Sequence, residues 1–258
     1  MTYSASYRRI LNRIGYYSYQ NGLIIRHLNE EGRWDSHLQH CRSFIIKAIE
    51  FYNPKTITVL GSGWLLDLPI AEMIEKKIRI RLVDIVHPPE VRQQVADFSN
   101  IELIEEDVTG GLIEEVWVKA GNRFFINKLK SLSDIVVPEY IPSGDYGMVI
   151  SLNVLTQLES LLVAYIEKHA SVKDEELLGF RTAIQEKHVA FLKQNPSVLL
   201  TDINEVITVK SGQISRVPTL LADIPEGRFA EQWIWDFDLT GTDFYNRRSV
   251  MNMKAVIF

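Results

Sequence analysis

The apolar positions divide the chain into an opening stretch with a helical period and a longer stretch where short apolar runs alternate with helical ones. Tyr7, Ile10, Leu11, Ile14 and Tyr17 recur at helical spacing, and Asn21-Gly22 is expected to punctuate that helix. Leu38, Cys41, Ile45, Ala48, Ile49 and Tyr52 form a second stripe, which predicts a helix from about Asp35 to Tyr52 with Asp35 or Ser36 as its cap. Asn53-Pro54 ends it, because proline disfavours helix in the residue before it.

From there the period changes. Thr56–Leu60 is β-rich and runs straight into Gly61-Ser62-Gly63, followed by a helical segment around Asp67 to Lys77. A second strand is expected at Ile80–Asp84, a helix at about Pro89 to Phe98, and a third strand at Ile101–Glu105. Residues 109–143, broken by Gly110-Gly111, Pro138 and Pro142, look like an insertion with one or two helices. A fourth strand at Gly147–Leu152 precedes a long helical region closed by Asn195-Pro196, and a fifth follows at Val198–Asp202. Trp233–Phe237 and Val250–Phe258 are two further strands joined by a polar loop too short for a helix, so they should pair antiparallel. Strands alternating with helical crossovers imply a doubly wound, mostly parallel α/β sheet of seven strands with a reversed C-terminal strand. The expected organisation is a helical cap over residues 1–54 and a Rossmann-like domain over 55–258.

Composition narrows the field rather than choosing within it. The 258 residues are 46% hydrophobic and 24% charged, which excludes disordered-tail, collagen-like and disulfide-scaffold classes. A net charge of −5 gives no support to a polyanion-binding surface, and no nucleic-acid partner is indicated. The N-terminal residues lack an apolar stretch of signal-peptide length, and no run approaches the roughly 20 apolar residues of a membrane helix. With a single cysteine, Cys41, the chain fits a reducing, cytoplasmic setting.

Candidate chemistry gathers at strand ends. Gly61, Ser62 and Gly63 form a strand-to-helix turn that lets backbone approach a cofactor. Asp84 follows Gly61 by 23 positions, at a strand end where a carboxylate can accept from both ribose hydroxyls. Asp107 follows Asp84 by another 23, where a carboxylate can accept from an adenine amino group, with the Val108 backbone against the ring. The order strand–GSG–helix–strand–Asp–helix–strand–Asp, with a fourth strand ending in Ser151-Leu152-Asn153, resembles the class I S-adenosylmethionine-dependent methyltransferases.

That resemblance covers about residues 55–258. It implies S-adenosylmethionine as cofactor, with Gly61 to Gly63 around its methionine part, Asp84 with Ile85 on the ribose, and Asp107 with Val108 on adenine. Ser151 and Asn153 would line the transfer pocket. The family usually carries an acid two positions before the first glycine, where this chain has Val59, and Asp67 is the candidate for the missing charge. A third glycine is common at the position of Leu65, beside Trp64. The implied activity is methyl transfer to a small-molecule acceptor. A second reading is a divergent, non-enzymatic protein of this fold, with Val59, Trp64 and Leu65 altering the cofactor site. An NAD-dependent oxidoreductase would need glycine at Leu66, so the dinucleotide fingerprint fails.

Histidines and aromatics supply secondary candidates. His188 lies on the stripe Leu177, Phe180, Ile184, His188, Phe191, which makes it a core histidine or a pocket-facing base. Arg33, Trp34 and His37 could form a lid over the cofactor or pack into the core. His37-x-x-His40 lacks the further ligands of a metal site, so none is expected. Tyr16, Tyr17 and Tyr19 have the spacing of a packing face. Acceptor atom and oligomeric state have no signature in the sequence.

Overall fold

The computed structural model describes residues 3–121, 129, 131–241 and 247–258. Parts of the expected insertion and of the final hairpin loop lie outside them.

Three helices come first. α1 (Ala5–Ile14) starts where the Ser4 hydroxyl accepts from the Tyr7 amide at 3.2 Å, and ends at Gly15, whose φ of 111° is left-handed. α2 (Tyr16–Asn29) begins at once and runs through Asn21-Gly22. The expected break therefore falls seven residues late: Gly15 is where the backbone needs a left-handed residue, whereas Gly22 is helical. α3 (Asp35–Tyr52) has the predicted bounds, but neither Asp35 nor Ser36 caps it, because the N-cap position falls on Trp34. Its C-terminus closes on Asn53 at φ 46°.

The sheet is built from β1 (Thr56–Leu60), β2 (Arg79–Asp84), β3 (Ile101–Glu105), β4 (Met148–Leu152), β5 (Ser197–Val209), β6 (Ile214–Pro218), β7 (Phe229–Asp238) and β8 (Arg247–Ile257). The strand order is β3-β2-β1-β4-β5-β8-β7, with β6 paired to β5 off that path. Strands β1 to β5 are mutually parallel where they pair, and β8 runs antiparallel to both β5 and β7. An eighth strand thus joins the seven expected. β5 continues well past Asp202 through a register shift at Asp202/Asn204 and folds back as the exposed β6.

The crossover helices are α4 (Ile70–Glu75), α5 (Pro89–Val95), α6 (Leu112–Ala120), α7 (Ser160–His169) and α8 (Asp174–Lys193). α4 and α5 are shorter than the sequence pattern suggests; the turns over residues 64–68 extend into the expected start at Asp67, and α4 begins only after Pro69. One core layer sets α3, through Phe44, Ile45 and Ala48, against Ile57, Val59, Ile150, Leu200 and Met253 of the sheet. The other sets α1, α6, α7 and α8 together over the opposite side. Strands β1 and β4 are buried throughout and serve both faces, Ile57, Val59 and Ile150 packing on the α3 side and Leu60 and Val149 against Val189 and Leu192 of α8.

Candidate active-site cleft

The strand order reverses between β1 and β4, and open α/β sheets place their ligand crevice at the strand carboxyl ends beside such a reversal. A cleft lies there, with about 1050 Å³ of atom-free space including its mouth. The β1–α4 turn, the ends of β2, β3 and β4, and α2 from above form its walls.

Gly61 begins the turn at φ 79°, and a Cβ there would sit 2.7 Å from Val154 Cβ and 2.9 Å from the Leu152 carbonyl. Only glycine fits both the dihedral and the space. The Gly63 amide points back and donates to Asp84 Oδ2 at 2.7 Å. Leu65, where the resembled family commonly has its third glycine, keeps a left-handed φ of 62° although it carries a side chain. That side chain and Val59 are buried in the α3-side core, not in the cleft. Trp64 does line the cleft, and its indole donates to the Gln20 carbonyl at 2.8 Å, tying α2 to the turn.

Asp84 closes β2 with its carboxylate inside. Oδ1 accepts from the Gln20 side chain at 3.0 Å and the Ile85 amide at 2.8 Å, while Oδ2 has the Gly63 amide as its hydrogen-bond donor among the described residues. A carboxylate offers about four lone-pair positions, so Oδ2 retains acceptor capacity. Burial pushes the Asp84 carboxyl up to about 6, against the pull of these three donors and of the Val86 amide, 3.4 Å from Oδ1. Asp107 is held similarly: Oδ1 accepts from the Thr109 amide at 2.9 Å and hydroxyl at 2.5 Å, and Oδ2 from the Tyr7 hydroxyl at 3.2 Å. Its carboxyl is also raised by burial.

Asp67 and Asn153 meet across the cleft floor, with Asn153 Nδ2 donating to Asp67 Oδ2 at 2.6 Å. Asn153 holds a left-handed φ of 51° at the end of β4, which turns its amide toward the β1 turn. Below them His37 lies flat on Trp235, ring centroids 3.8 Å apart, and His37 Nδ1 accepts from the Trp233 indole at 3.0 Å. An indole only donates, so the His37 proton sits on Nε2, and burial keeps the ring neutral, its pKa pulled down to about 3. His37, Cys41 and Asp67 have ligand atoms within 4.8 Å of one another. The proton on Nε2, the atom that faces Cys41 and Asp67, removes the lone pair a metal would need, and burial raises the Cys41 thiol well above its usual range.

The sequence-predicted residues separate cleanly in space. Gly61, Ser62, Gly63, Asp67, Asp84, Ile85, Asp107, Val108, Asn153 and Trp34 line the cleft. Ser151 does not: it is fully buried in β4, and its hydroxyl meets His188 Nε2 at 2.8 Å. His188 sits with it, 3% exposed, neutral, and pulled down to about 4 by burial. Trp34 and His37 are core side chains, the Trp34 indole donating to the Phe237 carbonyl at 3.0 Å, while Arg33 points outward and pairs with Glu30. Sequence reasoning missed Tyr16, Tyr19, Gln20 and Leu23 of α2, Trp235 of β7, and His87, whose Nε2 lies 3.1 Å from the Ser62 hydroxyl. The tyrosines gave a signal in their spacing; Gln20 and His87 gave none.

A mostly parallel sheet that ends in the reversed strand β8 is the arrangement that the resemblance implied. The fold is a doubly wound, mostly parallel α/β sheet with a reversed C-terminal strand. No family model matches the chain, and no curated protein matches it. Solved structures similar to it include the Burkholderia thailandensis 1,6-didemethyltoxoflavin-N1-methyltransferase with 1,6-didemethyltoxoflavin and S-adenosylhomocysteine bound, at 10% identity and TM-score 0.40, covering 99% of this chain and 92% of that one. Others are the Geobacter metallireducens precorrin-6y C5,15-methyltransferase (10% identity, TM-score 0.27, 83% of this chain and 86% of that) and the glycopeptide N-methyltransferase MtfA (9%, 0.28, 83% and 90%). Among the described residues, no helix is long and apolar enough to cross a membrane.

Proposed function

We propose that the chain binds S-adenosylmethionine in this cleft and transfers its methyl group to a small-molecule acceptor. The observation that carries the proposal is the convergence of the Gly61–Gly63 turn, Asp84 and Asp107 on one cleft at the sheet reversal, each carboxylate with one lightly engaged oxygen. Asp84 Oδ2 is the acceptor for the ribose hydroxyls, and Asp107 with the Val108 backbone faces adenine. Gly61, whose missing Cβ lets the turn pack against Val154 and the Leu152 carbonyl, sets the turn backbone against the methionine part, and Asp67 provides the negative group for its ammonium. The cofactor, when bound, supplies an electrophilic methyl on a positively charged sulfur with a neutral thioether as leaving group. The protein's part is orientation and exclusion of water, for which no dedicated nucleophile is required.

Two of the three side chains that motivated a divergent, non-enzymatic reading, Val59 and Leu65, point into the core and leave the cleft free. Isothermal titration with S-adenosylmethionine, S-adenosylhomocysteine and NAD tests the proposal. Binding of both adenosyl ligands with no heat from NAD is expected. Absence of heat from either adenosyl ligand at high protein concentration would overturn it.

A further inference from the structure

The wall of the cleft is acidic and aromatic. Its described lining contains four acids, Asp67, Asp84, Glu106 and Asp107, and no lysine, arginine or histidine. An anionic ligand entering it would lose hydration and meet uncompensated negative charge. Beyond the carboxylates the walls are aromatic, with Trp34 and Trp235 meeting edge to face at 4.8 Å between centroids. In this corner two buried polar atoms point at nothing: the Trp235 indole nitrogen and Asn153 Oδ1 have no partner among the described residues, and their side chains are 7% and 8% exposed. One is an obligate donor and the other an acceptor, and both residues pack on His37, which places them in a single corner. A buried donor and a buried acceptor left unsatisfied each cost free energy that a bound ligand would recover.

We infer that this corner receives the methyl acceptor, and that the acceptor is an aromatic ring compound without negative charge that presents a carbonyl or ring nitrogen to the Trp235 N–H and an N–H to Asn153. The aromatic side chains of Trp34 and Trp235 in the wall select a ring compound; the missing cations reject carboxylated or phosphorylated analogues; the donor and the acceptor together orient the ring in its plane. The inference rests on the methyltransferase reading of the cleft, and the test separates the two.

The experiment is calorimetric titration of three probes into the full chain, with and without saturating S-adenosylhomocysteine, and into Trp235→Phe, which keeps the ring and removes the N–H. The probes are quinolin-4-one, its 2-carboxylate, and indole, which has no hydrogen-bond acceptor. Quinolin-4-one should bind at least tenfold tighter than the carboxylate. Trp235→Phe should weaken quinolin-4-one several-fold, leave indole unchanged and leave S-adenosylhomocysteine affinity unchanged. Equal or tighter binding of the carboxylate, no binding of quinolin-4-one, or an unaltered quinolin-4-one affinity in the variant would overturn the inference. So would a loss of S-adenosylhomocysteine affinity in Trp235→Phe, which would assign the corner to the cofactor. Silence of S-adenosylhomocysteine alone, with the probe pattern intact, would instead overturn the methyltransferase reading.

Discussion

At the scale of single residues, position in the strand–turn–helix unit was legible while hydrogen-bond partnership was not. Asp84 and Asp107 could be placed at strand ends because each closes a short apolar run. Their partners Gln20 and Tyr7 come from a helix pair 64 and 100 residues away, and no local pattern announces them. Asp84→Ala should weaken S-adenosylhomocysteine binding by roughly 1–3 kcal/mol, the range for a lost charged hydrogen bond, as measured by calorimetry. The pH dependence follows from burial. Because Asp84 titrates at about 6 rather than at its usual 3.8, adenosyl-ligand affinity should fall as pH drops through about 6, where the acceptor becomes protonated. Stability should run the other way. The folded chain holds protons on Asp84 up to about pH 6 and on Glu159 up to about 7, after an unfolded chain has released them, so these two groups stabilise the fold on acidification through that window and lose that contribution as pH rises. Urea unfolding from pH 7.5 to 5 checks the sign, and Glu159→Gln should flatten the upper part of the curve. Gly61→Ala meets Val154 and the Leu152 carbonyl at a left-handed φ, and should cost about 1–3 kcal/mol in the same assay.

Elements were legible where a stripe was long and unbroken. α3 matches its expected bounds because six apolar positions at helical spacing face the sheet, and a core residue such as Ile45 is fully buried there. Replacing Ile45 with alanine should therefore cost about 2–5 kcal/mol. Short elements fared differently. α4 starts at Ile70 rather than at about Asp67, after a run of turns in which Leu65 adopts a left-handed φ that the apolar pattern did not signal. β6 escaped because its five residues are all exposed and carry no alternation against a core. The α1–α2 pair reaches the site through Tyr7, Tyr16, Tyr19 and Gln20, and the Trp64 indole fastens α2 to the glycine turn. Amide exchange should report that coupling: S-adenosylhomocysteine should slow exchange in residues 16–29 together with residues 61–67. Protection of the turn alone would mean that α2 is independent of the ligand.

For the whole molecule, alternating strands and crossovers, with a reversed final pair, were enough to identify a doubly wound sheet, and the sheet order bears that out. The order also fixes where chemistry can occur, because only one strand pair, β1 and β4, brackets the reversal. The cleft's outer half depended on tertiary packing that sequence does not encode locally: Trp235 arrives from a strand at the far edge of the sheet, carried in through His37 and Trp34. The central claim is that this cleft reads an adenosyl ligand through Asp84 and Asp107. A crystal structure of the chain with S-adenosylhomocysteine tests it most directly. The account predicts ribose hydroxyls within hydrogen-bond distance of Asp84, the adenine edge at Asp107 and Val108, and the homocysteine part against Gly61. The ligand bound away from both carboxylates, or a cleft left empty at saturating ligand, would contradict it.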